Sequence, residues 1–250
     1  MTALVGLAML LFVLTCSAVG IRLLWLAKGG GGRPAWLCGH GFSLIAIIGF
    51  PLGVLSGQGF AAAGDVHLPL AAVSLLANGL GIGSFFVFTV SVFRPGALWA
   101  HALAGAASAG MAMSAVGILA SIALAPSAAS SFAVSYGWAA TFQWICVLCF
   151  GWMGFEGLSE WWRSRRRVAL GLSDAVVSNR LLMWGLFGVS TTLLCLVLAA
   201  VQMSGRPTAT SVTAQLAQAL FGLSSSVAAG LAFFPPRAYL GFLRRAPREA

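Results

Sequence analysis

Seven long apolar runs divide this sequence and limit what the chain can fold into. They cover approximately residues 2–27, 35–57, 69–93, 96–125, 133–162, 178–203 and 207–235. About 20 helical residues cross the roughly 30 Å hydrocarbon core of a bilayer, so each run is long enough to span it. The sequence therefore predicts an all-α integral membrane bundle of seven transmembrane helices.

The composition agrees with a membrane protein. Hydrophobic residues make up 60% of the 250 residues and charged residues only 8%, whereas soluble domains carry roughly 25% charged residues. The breaks between the runs are short, so they leave no room for an inserted soluble domain. We expect one seven-helix domain over residues 1–236, followed by a basic amphipathic tail over 237–250 that forms a short interfacial helix.

Lysine and arginine fix the expected orientation of the bundle. Arg206 alone lies on one side; the opposite side holds Arg22, Lys28, Arg33, Arg94, Arg163, Arg165, Arg166, Arg167, Arg180, Arg237, Arg244, Arg245 and Arg248. Cytoplasmic loops carry the excess of positive charge. The N-terminus is therefore expected outside and the C-terminus in the cytoplasm. Because these arginines lie at membrane exits, the expected partner of the +9 net charge is anionic lipid at the cytoplasmic face, not nucleic acid.

Glycine spacing predicts where helices approach closely. Gly49, Gly53 and Gly57 repeat every four residues in the second run, as do Gly79 and Gly83 in the third. Such small-residue ridges let helix backbones pack tightly in lipid. Pro51 is expected to kink the second helix.

Four ionisable residues from different helices fall at one depth on the cytoplasmic side: Arg22, His40, His101 and Glu156. Both histidines belong to an Arg-Pro-x5-His phrase, which begins at Arg33 and again at Arg94; the sequence leaves open whether this is a duplication or chance. Charged groups at such depth usually face the bundle interior and a partner. The layer could simply close the bundle, with Arg22 reaching the interface and Glu156 paired with an arginine or histidine.

Three other chemistries remain open for this layer. His40, His101 and Glu156 could hold a divalent metal, since imidazole and carboxylate are suitable ligands. The two histidines could instead ligate a haem iron, or a histidine–glutamate cluster could relay protons. No local motif of metal-ligand spacing supports any of these, and the sequence identifies no cofactor.

Uncharged polar side chains occur toward the outer half of the bundle. They could form interhelical hydrogen bonds, or they could line an outward-facing pocket for a small neutral ligand. The residues considered for such a pocket are Asn78, Gln143, Thr191, Gln215, Gln218 and Ser225.

The chain resembles the rhodopsin and G-protein-coupled-receptor architecture in its helix number and orientation. Pro236-Arg237-Ala238-Tyr239, followed by a basic stretch, is similar to the receptor P-x-x-Y ending and its eighth helix. The resemblance departs at Phe93-Arg94-Pro95, which is not the receptor's acidic-Arg-aromatic triplet. Lysine is absent from the seventh run, so a retinal Schiff base of the rhodopsin kind is not expected there. The Phe-Arg-Pro-Gly and Phe-Phe-Pro-Pro-x-x-Tyr phrases also resemble uncharacterised bacterial seven-helix proteins.

These observations favour a non-enzymatic protein of a bacterial inner membrane. The leading hypothesis is a receptor- or sensor-like protein that binds a small neutral ligand and passes its output to a cytoplasmic protein partner. The alternatives are a small transporter or proton-coupled carrier that uses the His/Glu layer, and a haem- or metal-binding redox protein. Assembly as a homo-oligomer is left open.

Overall fold

The computed structural model describes residues 2–57, 66–124, 128–206, 208 and 211–245. All regular secondary structure in this part of the chain is helical. Its nine α-helices are α1 (Thr2–Leu26), α2 (Gly32–Ser43), α3 (Phe50–Leu55), α4 (Leu68–Phe93), α5 (Leu98–Leu124), α6 (Ala128–Ala169), α7 (Ala175–Met203), α8 (Val212–Phe233) and α9 (Arg237–Arg245).

Six helical segments in the described residues are long and apolar enough to cross a membrane. Five of them belong to α4, α5, α6, α7 and α8. The sixth, Leu4–Leu55, is a stretch of 52 residues that contains α1, α2 and α3. The protein is therefore an all-helical membrane protein.

The 52-residue stretch is broken near its middle by glycine. Ala27–Gly31 is a kink between two helices, in which Gly30 has a φ of 101°, and Gly32 follows with a φ of 72°. Side chains other than glycine rarely adopt this left-handed backbone, so the two residues allow the chain to change direction. α2 then packs against α1, where a Cβ on Gly39 would lie 2.9 Å from the backbone nitrogen of Leu24.

A second irregularity lies between α2 and α3. Leu44–Gly49 is π-helical, and Pro51 follows it in the first turn of α3. Proline has no N–H to donate to the helix ladder, and π-type turns are a recognised way to relieve that loss. The carbonyl of Gly49 accepts a hydrogen bond of 2.7 Å from the Ser74 hydroxyl of α4, so this irregular backbone is tied to its neighbour.

The helices pack in a closed ring. α1 packs on α2, α2 on α4, α4 on α5, α5 on α6, α6 on α7 and α7 on α8, and α8 returns to α1. α4 also contacts α6. Arg22, Arg94, Arg163 and Arg180 lie at one end of this ring, which is called the basic end below.

Aromatic side chains fill the middle of the ring. Phe42 lies 5.0 Å from Phe85 and 5.4 Å from Phe187, measured between ring centroids. Trp184 stacks on Phe187 at 5.7 Å and meets Phe233 edge-on at 5.8 Å. Such offset and edge-to-face contacts are the favoured arrangements of aromatic rings. They join α2, α4, α7 and α8 in one core.

The closest helix approach is between α6 and α7. A Cβ on Gly188 would lie 2.5 Å from the Cα of Gly154, and one on Gly157 would lie 3.0 Å from the Cα of Gly185. The glycines with the expected four-residue spacing pack less closely on helix backbone. Gly49 faces the side chain of Asn78, and Gly57 has open space around it at the end of α3.

Two polar contacts organise the ends of α7 and α9. The Asp174 carboxylate accepts a hydrogen bond of 2.8 Å from the Val176 N–H and caps α7, as expected for an acidic residue at a helix N-terminus. The Tyr239 hydroxyl donates to the Asn179 side chain at 2.9 Å. This bond holds α9 against α7.

Candidate functional site

The candidate site is the group of side chains that form hydrogen bonds with the carboxylate of Glu156. Glu156 lies on α6, is 3% exposed, and faces Arg94 across the basic end. The Nε of Arg94 donates to Oε1 at 2.7 Å and its Nη2 donates to Oε2 at 3.3 Å. Two parallel bonds of this kind fix the carboxylate and guanidinium planes relative to each other.

The short connection between α4 and α5 positions Arg94. α4 ends at Phe93, and the N–H of Ala97 bonds to the Arg94 carbonyl at 3.1 Å, which closes a tight turn. The side chain of Arg94 is 38% exposed, so it reaches from the edge of the bundle toward the buried carboxylate. The hydrogen bond to Glu156, and next the charge of Glu156, raise the pKa of Arg94. The guanidinium therefore stays charged.

An indole completes the contact. Trp152, one helical turn before Glu156, donates its Nε1 hydrogen to Oε1 at 3.1 Å. The Trp152 ring lies 5.6 Å from Trp99 of α5 and 6.3 Å from Phe86 of α4. The carboxylate thus accepts three hydrogen bonds beside a packed aromatic group, which compensates for its removal from water. We call Arg94, Trp152 and Glu156 the basic-end cluster.

The two histidines expected at this depth have local partners. The Nδ1 atoms of His40 and His101 each lie 3.0 Å from the carbonyl oxygen of the residue four positions earlier, Trp36 and Ala97. The His40 ring also lies 3.9 Å from the Trp36 ring. His40 is half-buried and His101 is exposed. Their helices, α2 and α5, both pack on α4.

The metal site that the sequence left open as one alternative does not form among the described residues. No three histidine, cysteine, aspartate or glutamate side chains come together there in a group that could hold a metal ion. His40, His101 and Glu156 therefore do not act as one ligand set in this arrangement. The physical reason is that both imidazoles turn to their own helix backbone, while Glu156 turns to Arg94.

Arg22, the fourth member of the expected layer, lies elsewhere in the basic end. Its guanidinium carbon is 4.7 Å from the centroid of the Phe234 ring, a cation–π contact. It also lines a cavity of about 430 Å³ to which α1, α2, α4, α7 and α8 contribute. The four residues expected in one layer therefore have different surroundings. Glu156 belongs to the basic-end cluster, Arg22 lines this cavity, and the two histidines contact the backbone of their own helices.

The outer polar residues are partly engaged with one another. Thr191 of α7 and Ser225 of α8 are buried, and their hydroxyl oxygens lie 3.1 Å apart. Asn78 donates to the Ser74 carbonyl at 3.0 Å. Gln143, Gln215 and Gln218 are half-buried. None of the six lines the 430 Å³ cavity or a second cavity of about 320 Å³ beside α4 and α5.

The sequence allows a pairing of Glu156 with an arginine or histidine, but it does not identify Arg94 as that partner. Arg94 stands outside the third apolar run, and Trp152 belongs to no motif. One signal was present for Trp152: it precedes Glu156 by four residues and so lies on the same helix face. For Arg94 there was only the Arg-Pro phrase at the start of the fourth run, which carries no information about α6.

No protein-family model matches this chain, and no curated protein or solved structure is detectably similar to it.

Proposed function

We propose that this protein is a receptor- or sensor-like membrane protein of the bacterial inner membrane with seven crossings. Its N-terminus lies outside and its C-terminus lies in the cytoplasm. A ligand-dependent rearrangement of the bundle is read out at the basic-end cluster. A cytoplasmic protein partner receives the output at the basic end.

The shape of the first 52-residue segment supports seven crossings. A continuous helix of that length would extend about 78 Å at 1.5 Å per residue, more than twice the hydrocarbon thickness. The glycine turn at Ala27–Gly31 and the packing of α1 on α2 fit two crossings joined at the basic end. With α4 to α8 the total is seven. Positive charge at that end fits a cytoplasmic location.

The single observation that carries the proposal is the Arg94–Glu156 pair. It joins the α4–α5 turn to α6 by charge-assisted bonds that lie at the end of the bundle. Separating the two side chains would leave the buried carboxylate of Glu156 without its counter-charge, so the contact is favoured either formed or fully broken. Such a contact suits a protein that alternates between two arrangements.

The proposed response to a ligand involves Thr191 and Ser225. Their hydrogen bond joins α7 to α8 near the middle of the bundle. Because both hydroxyls are buried, a small neutral molecule can exchange this bond only if α7 and α8 part, and that movement would shift α7, which packs along α6. α6 in turn carries Glu156.

A proton-coupled carrier is the second candidate, because a buried carboxylate at membrane depth is typical of ion and proton pathways. The geometry favours the sensor, since three hydrogen bonds already occupy the carboxylate of Glu156. The two functions differ in one measurement. In proteoliposomes with a pH gradient, the sensor is expected to give no gradient-driven solute uptake, whereas uptake that Glu156→Gln abolishes would establish the carrier.

A positive test of the sensor uses distance. Spin labels at Gly96, in the α4–α5 turn, and at Arg166, near the end of α6, report the opening of the basic end. Glu156→Gln is expected to broaden or lengthen this distance, and a small neutral ligand added from outside should shift the wild-type distance in the same direction. The matched control is Glu160→Gln, which removes a carboxylate from the same helix without touching Arg94. An unchanged distance in Glu156→Gln would contradict the proposed readout.

A further inference from the structure

The cavity at the basic end is separate from the basic-end cluster. It has a volume of about 430 Å³, within the roughly 300–1,000 Å³ typical of ligand pockets. Phe88, Phe93, Trp184 and Phe233 give it a predominantly apolar wall. Glu156, Arg94 and Trp152 do not line it.

Two arginines are the charged groups of this wall. Arg22 comes from α1 and Arg180 from α7. Within the described residues neither guanidinium forms an ion pair, since the two ion pairs found there are Arg94–Glu156 and Arg163–Glu160. Among the residues that the structure describes, no acidic side chain lines the cavity. This part of the wall therefore presents two positive charges without a compensating anion.

The contact of Arg22 with Phe234 leaves its donors available. The guanidinium carbon lies 4.7 Å from the centroid of the ring, and within the described residues the guanidinium of Arg22 forms no ion pair. Its N–H donors form a planar fork that can meet the oxygen atoms of an anion. The contact thus holds the charge at the rim of the cavity while keeping it ready for an anion.

Trp184 adds a third polar feature to the same wall. It is 6% exposed, and its Nε1 is buried without a hydrogen-bond partner among the described residues. Buried indole N–H groups usually find a partner. Trp184 follows Arg180 by four residues, so the two share one face of α7.

We propose that this cavity binds a single-chain anionic amphiphile. Its hydrocarbon chain would lie against the phenylalanines, and its carboxylate or phosphate head would accept hydrogen bonds from Arg22 and Arg180. The volume suits one hydrocarbon chain rather than two. The rim is apolar as well as charged, because Leu26 and Val177 are 46% and 49% exposed, so the amphiphile can enter with its chain from a membrane leaflet.

The test uses the whole protein in nanodiscs of zwitterionic phosphatidylcholine, with laurate, dodecyl phosphate and dodecanol as probes. Laurate and dodecyl phosphate are expected to bind saturably, and dodecanol at least about tenfold more weakly, since charged hydrogen bonds contribute that much or more. Tighter binding of laurate identifies a fatty-acid carboxylate as the preferred head, and tighter binding of dodecyl phosphate identifies a phosphate. Equal binding of all three probes, or no saturable binding, overturns the proposal.

Substitutions locate the bound molecule. Arg22→Gln and Arg180→Gln should each weaken laurate binding by about tenfold or more. Arg165→Gln is the matched control, because it removes an arginine at the basic end that does not line the cavity and should leave affinity unchanged. Equal losses in all three variants would mean general charge attraction and would overturn the site.

A measurement on the otherwise unaltered protein covers the case in which an arginine variant does not fold. A laurate brominated along its chain quenches indole fluorescence on contact, so it is expected to quench the Trp184 signal. Trp184→Phe should remove that quenched component, while Trp144→Phe, a change at an exposed tryptophan outside the cavity, should keep it. Quenching that is the same in both variants places the chain elsewhere and overturns the proposal.

Discussion

Glu156 shows how a charged residue is accommodated inside a bundle of apolar helices. Its side chain is almost fully buried, yet two guanidinium bonds and one indole bond occupy its oxygens. Arg94, in contrast, remains partly in contact with the surroundings. The two partners therefore respond differently when one of them is removed.

Glu156→Gln is expected to destabilise the protein by about 1.5–3 kcal/mol, the usual contribution of hydrogen bonds to a charged group. Arg94→Gln is expected to destabilise it more, because it leaves a buried carboxylate without a counter-charge. The double variant should lose less than the sum of the single changes. Free energies of unfolding in mixed micelles, measured for all four proteins, complete this double-mutant cycle.

The surface pair Arg163–Glu160 provides the control for this cycle. Its donor and acceptor lie 2.6 Å apart, closer than those of the buried pair, but 60% of the Arg163 side chain is exposed. Exposed pairs contribute about 0–1 kcal/mol. A loss for Glu160→Gln as large as that for Glu156→Gln would show that distance, and not burial, governs these contacts.

At the scale of the helices, the apolar runs predicted the positions of helices better than the glycine spacing predicted the contacts between them. The third run, 69–93, corresponds to α4 at Leu68–Phe93, because apolar length alone determines where a helix can lie in lipid. α6 extends well beyond its expected range of 133–162, to Ala169, since nothing after Arg163 breaks a helix before Gly171. The packing glycines were harder to predict, because Gly154, Gly157, Gly185 and Gly188 have a three-residue spacing and a helix face cannot be read from spacing alone.

Gly188→Ala is expected to destabilise the α6–α7 pair by about 1–3 kcal/mol, the range seen when a close-packed contact is overfilled. The new methyl group would meet the Gly154 backbone, which cannot rotate away as a side chain could. Gly105→Ala on α5 is the matched change, because no atom lies within 4 Å of its added Cβ. In thermal unfolding, Gly188→Ala is expected to have the lower midpoint temperature. Equal midpoints for the two variants would show that the added methyl group does not disturb the contact between α6 and α7.

At the scale of the whole molecule, the presence of membrane-spanning helices was predictable and the pairing of Glu156 with Arg94 was not. Runs of apolar residues predict helices, and arginines predict their ends. The pairing of Arg94 with Glu156 joins residues 62 positions apart, and which helices lie side by side decides such pairings. For the same reason the sequence does not reveal the cavity, whose wall combines Arg22 of α1 with Arg180 of α7.

The proposed seven crossings predict which positions meet water on each side. Single cysteines in place of Gly29 and Arg166 should react with a membrane-impermeant maleimide from the cytoplasmic side, and one in place of Ser204 from the outside. The native cysteines are buried and should react slowly. Labelling after permeabilisation serves as the control. The contrary result is a cysteine in place of Gly29 that fails to react with the maleimide from either side of the intact membrane and also after permeabilisation. That result would indicate that Leu4–Leu55 crosses the membrane only once.

The length of α6 has a mechanical consequence. Its 42 residues make a rigid rod of about 63 Å, roughly twice the thickness of the hydrocarbon layer. Glu156 lies about two thirds of the way along this rod, and Arg163 to Arg167 lie only about 10–17 Å beyond it. With the Arg94 contact as a pivot, a tilt of the longer arm reaches this arginine-rich end as a smaller displacement in the opposite direction. Breaking the Arg94 contact removes the pivot and lets the end move with the rest of α6, which in the proposed orientation shifts a patch of positive charge at the cytoplasmic face.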